Sequence, residues 1–145
     1  MKYLGIDLGG INVAAAVVDE TGTILSRGKI STPRTGAEAV AAAMTEAARQ
    51  ALAAGGFNID DIASVGIGSP GVIDPKNGIV EYWSNLDFHN VPLADMLKVR
   101  LGKEVYIEND ANAAALGEYA AGAGKGSQSM VAITLGTGVG GGAVL

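Results

Sequence analysis

An α/β fold built around a mixed sheet is what this sequence predicts, on three observations. Two apolar, strand-like runs joined by a tight glycine turn, Leu4 to Val18, open the chain. Helix-patterned and strand-patterned stretches then alternate from residue 37 onward, the arrangement that builds parallel pairing with helices on the sheet. The opening plan of apolar run, glycine turn and apolar run recurs at Ile133 to Leu145. With 145 residues, 48% of them hydrophobic and 17% charged, the chain is long enough for one domain with its own core, and its composition argues against disorder.

Lys2–Leu8, Val13–Asp19 and Thr23–Ser31 read as three successive strands, an antiparallel meander turning at Asp7–Asn12 and at Glu20-Thr21-Gly22. Pro33 discourages further pairing. From Ala37 to Ala54, the spacing of Val40, Ala43, Met44, Ala47, Ala51 and Leu52 predicts an amphipathic helix, which Gly55-Gly56 stops. Ile62–Gly68 is a β-branched strand that leaves abruptly through Ser69-Pro70-Gly71, and Ile79–Tyr82 is a candidate hairpin partner for Gly71–Ile73. Pro92–Leu101 reads as a short helix with Gly102 in the stop position. Glu104–Glu108 reads as a strand, Asn109 or Asp110 can cap a helix after it, and the alanine-rich Ala111–Ala121 predicts that helix, packed closely on the sheet. Parallel central strands would bring their carboxyl ends to one edge, the usual place for a ligand. Glycine-rich Gly122–Ser127 precedes a new strand at Ser129 or Met130. The expected division is therefore residues 1–122 as one lobe, and residues 123–145 as a linker and the first hairpin of a truncated second unit of the same plan.

Composition excludes several classes of function. A net charge of −5 without a basic cluster argues against nucleic acid as a partner. There is no cysteine and only one histidine, His89, so disulfides and thiolate sites are impossible and a zinc site within the chain is not expected. No apolar run approaches the roughly 20 residues of a membrane span. Met1-Lys2 leads straight into a strand pattern without a signal peptide, so the expected location is the cytoplasm.

Some residues carry two readings. Asp7 at the hairpin tip either orders the turn or presents a carboxylate, and Gly9 and Gly10 either serve the turn or let main-chain N–H groups approach a phosphate. Asp110 can be a helix cap or a functional carboxylate at a strand end. Tyr82 and Trp83 are either packing or a stacking platform. His89 reads as a loop residue bonded locally, and Glu108 as the last residue of a strand.

Five motifs decide between these readings: Asp7-Leu8-Gly9-Gly10; Gly68-Ser69-Pro70-Gly71; Asn85-Leu86; Glu108-Asn109-Asp110-Ala111-Asn112-Ala113-Ala114-Ala115; and Leu135-Gly136-Thr137-Gly138-Val139-Gly140-Gly141-Gly142. In this ordered set, through almost its whole length, the chain resembles the repressor, open reading frame and kinase (ROK) family of sugar kinases, above all its bacterial glucokinase-like members, within the hexokinase, Hsp70 and actin superfold. The resemblance implies a ribonuclease H-like mixed sheet, three antiparallel strands followed by two parallel ones with flanking helices. A second lobe beginning with the C-terminal glycine-rich hairpin would come after it, with ATP and a hexose bound in the cleft between lobes.

The same resemblance implies roles. Asp7 would help hold the Mg2+ of the ATP complex, usually through water. Gly9, Gly10 and Asn12 would form a first phosphate loop, and Gly136, Thr137 and Gly138 a second. Asp110 would be the general base that takes the proton from the attacking sugar hydroxyl, and Asn85 and Asn109 would fix sugar hydroxyls. Gly68 and Gly71 would flank the sugar. Ile11 departs from the pattern, which usually has threonine there. The zinc ligands of many family members would lie beyond Leu145. The expected function is the N-terminal half of an ATP-dependent hexose kinase, acting on glucose O6 and inactive or weak as this chain alone. The alternatives are a non-catalytic, engineered, self-associating half-domain and, less favoured, a sugar-sensing repressor lobe, because such repressors carry a DNA-binding helix-turn-helix before this lobe. The hairpin Met130–Leu145 is expected either to pair along the edge of its own domain's sheet or to pack on a second copy as a homodimer.

Overall fold

Alternation of side chains decides how the first strands sit. In the computed structural model, which describes residues 1–136 and 138–145, β1 (Lys2–Leu8) buries Leu4, Ile6 and Leu8 on one face and turns Asp7 to the other. β2 (Asn12–Asp19) does the same with Val13, Ala15 and Val17, and β3 (Ile24–Ser31) completes the antiparallel meander. α1 (Ala37–Gly55) lays Val40, Met44, Ala47 and Ala51 on this buried face. It ends at Gly56, whose left-handed backbone (φ 69°) directs its N–H back to the carbonyls of Ala53 and Leu52.

β4 (Ile62–Ser69) pairs parallel with β1. The chain then forms a small sheet from β5 (Val72–Asp74), β6 (Ile79–Trp83) and β7 (Phe88–Val91) before α2 (Leu93–Leu101) returns it to β8 (Val105–Asn109). β8 pairs parallel with β4, so the main sheet has five strands in the order β3-β2-β1-β4-β8. α3 (Asp110–Ala121) starts at once and lies on the opposite face from α1: a Cβ placed on Gly68 would stand 3.6 Å from Ala113 Cβ and 3.6 Å from Asp110 Cα. The described residues thus form a mixed α/β fold with three α-helices. Among the described residues no helix is long and apolar enough to cross a membrane.

Two features differ from the sequence reading. Phe88–Val91, to which the pattern assigns no element, forms the third strand of the small sheet, entered through a left-handed residue, Asp87 (φ 53°). The C-terminal hairpin, β9 (Met130–Leu135) and β10 (Val139–Val144), does not pair along the edge of the main sheet. It forms a two-stranded sheet of its own. The reason is face-on packing against α3, since Cβ atoms on Gly140 and Gly142 would come within 3.0 Å of Ala111 Cβ and 2.8 Å of Ala115 Cβ. The opposite face of the hairpin leaves Val131, Ile133, Leu135 and Val139 exposed.

Candidate active site

Strand register brings two carboxylates together. Asp7, at the carboxyl end of β1, is level with Gly68 of β4, which is level with Glu108 of β8. Because α3 starts directly after β8 and crosses above Gly68, Asp110 at its head lies near Asp7. The Asp7 carboxyl is pushed above the ordinary aspartate range, first by partial burial and then by the negative charge of Asp110.

The helix cap is Asn109, not Asp110. Asn109 Oδ1 accepts the N–H groups of Ala111 (3.0 Å) and Asn112 (3.3 Å), while Asn109 Nδ2 donates to the Gly71 carbonyl at 3.1 Å. Glu108 steadies this corner: its Oε1 accepts from Asn109 N at 2.7 Å and from Asn112 Nδ2 at 3.3 Å. Asp110 Oδ1 takes only the Ala111 N–H, at 2.8 Å, so its second carboxylate oxygen has no hydrogen-bond partner among the described residues.

The first glycine turn needs its small residues for close approach. Gly9 N donates to Asn12 O at 3.0 Å, and a Cβ on Gly9 would lie 2.6 Å from that same oxygen. A strap from the end of β3 holds the turn: Thr32 Oγ1 donates to Gly9 O (2.7 Å) and Thr32 N to Ile11 O (2.8 Å). Facing the turn, Gly136 and Gly138 close the hairpin tip through Gly136 N to Gly138 O, 2.9 Å. Thr137 lies outside the described residues.

An open cleft of about 860 Å³ gathers these parts. Gly9, Gly10, Asn12, Asn85, Asp110, Gly136 and Gly138 line it, all of them singled out by sequence. Asp7, Gly68 and Asn109 are not among the residues that line it: Asp7 lies beside Asp110, Gly68 lies under α3 and Asn109 caps that helix. Ile11 stands in the mouth, 77% exposed. Trp83 also lines the cleft but is 7% exposed and packed edge-on against Phe88, whereas Tyr82 points away to the other face beside His89. The two aromatics therefore form no common platform. His89 Nε2 is 2.9 Å from Asp87 Oδ1, a local pair on the surface. Sequence reasoning missed Thr32 and Arg34. Its reading of Pro33 as a strand breaker identified the place but not the contacts.

The donor set can be tested for a metal. Among the described residues no three His, Cys, Asp or Glu side chains converge, which does not fit a cation held by protein ligands alone. One carboxylate with a second close by, whose like charge raises Asp7, does fit a hard cation that keeps water and phosphate oxygens as its other ligands, as Mg2+ does. The raised Asp7 pKa has a stability consequence. Its contribution is present below the ordinary aspartate pKa and is lost as pH rises through the folded value, so the ionised carboxylate strains the fold at neutral pH. Asp7→Asn is therefore expected to raise Tm slightly at pH 7 and to match the parent at pH 3. Calorimetric melts at both pH values check this, and a fall in Tm at pH 7 would refute it.

The family model described as "ROK family" matches residues 3–145. A glucokinase of Thermotoga maritima is 45% identical over 146 residues, covering 99% of this chain and 44% of the relative, and a glucokinase of Streptomyces coelicolor is 43% identical over 142 residues, covering 98% and 43%. The crystal structure of a ROK family glucokinase from Streptomyces griseus in complex with glucose and AMPPNP superposes with a TM-score of 0.91 at 43% identity, over 100% of this chain and 45% of that one. The chain thus spans under half the length of these relatives.

Proposed function

The chain belongs to the ROK family, and from that premise we propose that it forms one wall of the active cleft of an ATP-dependent hexose kinase, transferring the γ-phosphate of ATP to a sugar hydroxyl, O6 of glucose. In this reading residues 1–122 are the N-terminal lobe, and residues 123–145 are the linker and first hairpin of a second lobe. The observation that carries it is the meeting of the open Asp110 carboxylate with two glycine turns on one cleft.

Each residue has a task there. Asp110 accepts the proton of the attacking hydroxyl through its unpartnered oxygen, at the head of a helix whose other cap groups are already satisfied. The N–H groups of Gly9 and Gly136 close their own turns, so those of Gly10 and Gly138 are the main-chain donors offered to the phosphates, and Asn12 lines the same wall. Asp7 would hold Mg2+, which when bound neutralises charge on the transferring group. Asn85 fixes the sugar, and Asn109 keeps one amide hydrogen for it beyond the bond to Gly71. Phosphoryl transfer depends on positioning and on exclusion of water by both walls, so turnover by this chain alone is expected to be weak.

Calorimetric titration with Mg-ATP and with glucose separately tests the reading. Both are expected to bind, and absence of heat for either at millimolar ligand counts against it. Ile11→Thr adds a hydroxyl donor at the mouth of the cleft and is expected to tighten Mg-ATP binding by up to about tenfold, the value of one good hydrogen bond. Unchanged nucleotide affinity would mean that position 11 does not face phosphate.

A second reading rests on the exposed apolar face of β9 and β10. Val131, Ile133, Leu135 and Val139 are 68–81% exposed, and a second copy packed there would make the chain a self-associating half-domain. Sedimentation velocity over a concentration series distinguishes the two: Val131→Asp together with Ile133→Asp is expected to abolish any dimer without disturbing the cleft. A parent chain that stays monomeric at high concentration removes this reading.

A further inference from the structure

We propose that Arg34 is a positioning residue for the sugar site, holding the Asn85 amide in the one orientation that makes Asn85 a hydrogen-bond donor to the ligand. Arg34 Nη2 donates to both the backbone carbonyl and Oδ1 of Asn85, each at 3.2 Å. An isolated asparagine amide can turn either end toward a ligand. A guanidinium has five donors and no acceptor, so it selects the oxygen edge of its partner. With Oδ1 held by Arg34, the NH2 group turns to the opposite side. There it approaches Gly10, where a Cβ would lie only 2.6 Å from Asn85 Nδ2. Gly10 thus leaves the room that the oriented amide occupies.

The clamp is itself anchored. Thr32, two residues earlier, is bonded to both Gly9 O and Ile11 O, and Pro33 restricts the backbone between them. The guanidinium is therefore delivered from the first glycine turn to the Asn85 loop, across 51 residues of sequence. Arg34 is the only cation among the described residues that line the cleft, and among those residues it pairs with no carboxylate that would draw it away.

This inference rests on the proposed reading of the cleft as a sugar site, and it adds a constraint on what Asn85 recognises. The ligand atom opposite Nδ2 has to accept a hydrogen bond, as a hydroxyl oxygen or a carbonyl oxygen does. A sugar lacking oxygen at that place would leave the amide hydrogens without a partner.

The test uses the free chain first. In 15N-labelled protein the two Asn85 side-chain NH2 signals are expected to be resolved and displaced from the shifts of a freely rotating asparagine amide. In Arg34→Ala they are expected to move toward those free-amide shifts, with the backbone signals of β1 and of the small sheet unchanged. Unaltered Asn85 side-chain signals in Arg34→Ala overturn the clamp. Glucose titration then tests the consequence. The dissociation constant is expected to rise about tenfold in Arg34→Ala, which removes the orienting bond, and to recover in part in Arg34→Lys. Asn85→Asp keeps an acceptor for Arg34 but removes the donor, and is expected to weaken glucose at least as much without lowering Tm. Wild-type glucose affinity in Asn85→Asp overturns the donor role. If the parent chain binds no glucose, the sugar-site reading fails instead, and the Asn85 signals still decide whether Arg34 orients the amide.

Discussion

Asp110→Asn is expected to lower glucose 6-phosphate formation by about 10²- to 10⁴-fold, the range that general-base catalysis contributes. The substitution is nearly isosteric, and Oδ1 can still accept the Ala111 N–H that Asp110 now takes at 2.8 Å. Since Asn109 supplies the two cap bonds, helix α3 keeps its cap and loses only the charge–dipole attraction of a first-turn carboxylate, about 0.3–1 kcal/mol. Removing the Asp110 charge also relieves the repulsion felt by Asp7, so Tm is not expected to fall. Loss of turnover with Mg-ATP binding and thermal stability preserved would separate a chemical role from a structural one. A coupled assay at high protein concentration makes the measurement, and a variant as active as its parent would exclude Asp110 as the base.

The largest structural effect is expected at a glycine far from the cleft. Gly28, in the middle of β3, faces α1 so closely that a Cβ would fall 2.3 Å from Ala47 O, 2.7 Å from Ala51 N and 2.8 Å from Gln50 Cβ. Two of these atoms are helix backbone, which cannot rotate away as a side chain would. The helix is also tied to the strand by Ser26 Oγ donating to Ala51 O at 2.6 Å and Lys29 N donating to Gln50 Oε1 at 3.2 Å. Gly28→Ala must therefore push α1 off the sheet and disturb the layer of Val40, Met44 and Ala47 beneath it. A loss of about 2–3 kcal/mol, or roughly 6–12 °C in Tm, is expected. Gly66→Ala is the control, because a Cβ there meets nothing within 4 Å. That variant is expected to keep or slightly raise Tm, since alanine lowers the entropy of the unfolded chain. Equal melting points for the two variants would show that the Gly28 contact does not limit stability.

Helices were readable because their signals are local. The spacing of Val40, Ala43, Met44 and Ala47 with the stop at Gly55-Gly56 places the first helix within one residue of its observed end, and Gly102 does the same for the second. The small sheet was only half legible. Phe88–Val91 lacks clear alternation and is entered through a left-handed aspartate, so its pairing with β6 depends on contacts that no short window contains. Asp110 and the glycine turns in the cleft, and Asp7 beside it, announce themselves by residue type at a strand end. Arg34 does not: an arginine after Pro33 looks like any surface cation until the fold brings Asn85 to it.

By itself, then, the sequence determined the types of the helices and of the main-sheet strands, the glycine-rich turns, and the ordered motifs that place the chain in its family, because each is written in neighbouring residues or in their order. Only the tertiary structure decided that Asn109 caps α3 and leaves an Asp110 oxygen open, that Gly28 is required by a helix lying on it, and that the hairpin packs face-on against α3 rather than along the sheet edge. It also decided that Arg34 meets Asn85. These outcomes turn on which atoms meet across long stretches of chain, and a small displacement in such a meeting decides whether a Cβ fits or an amide can rotate.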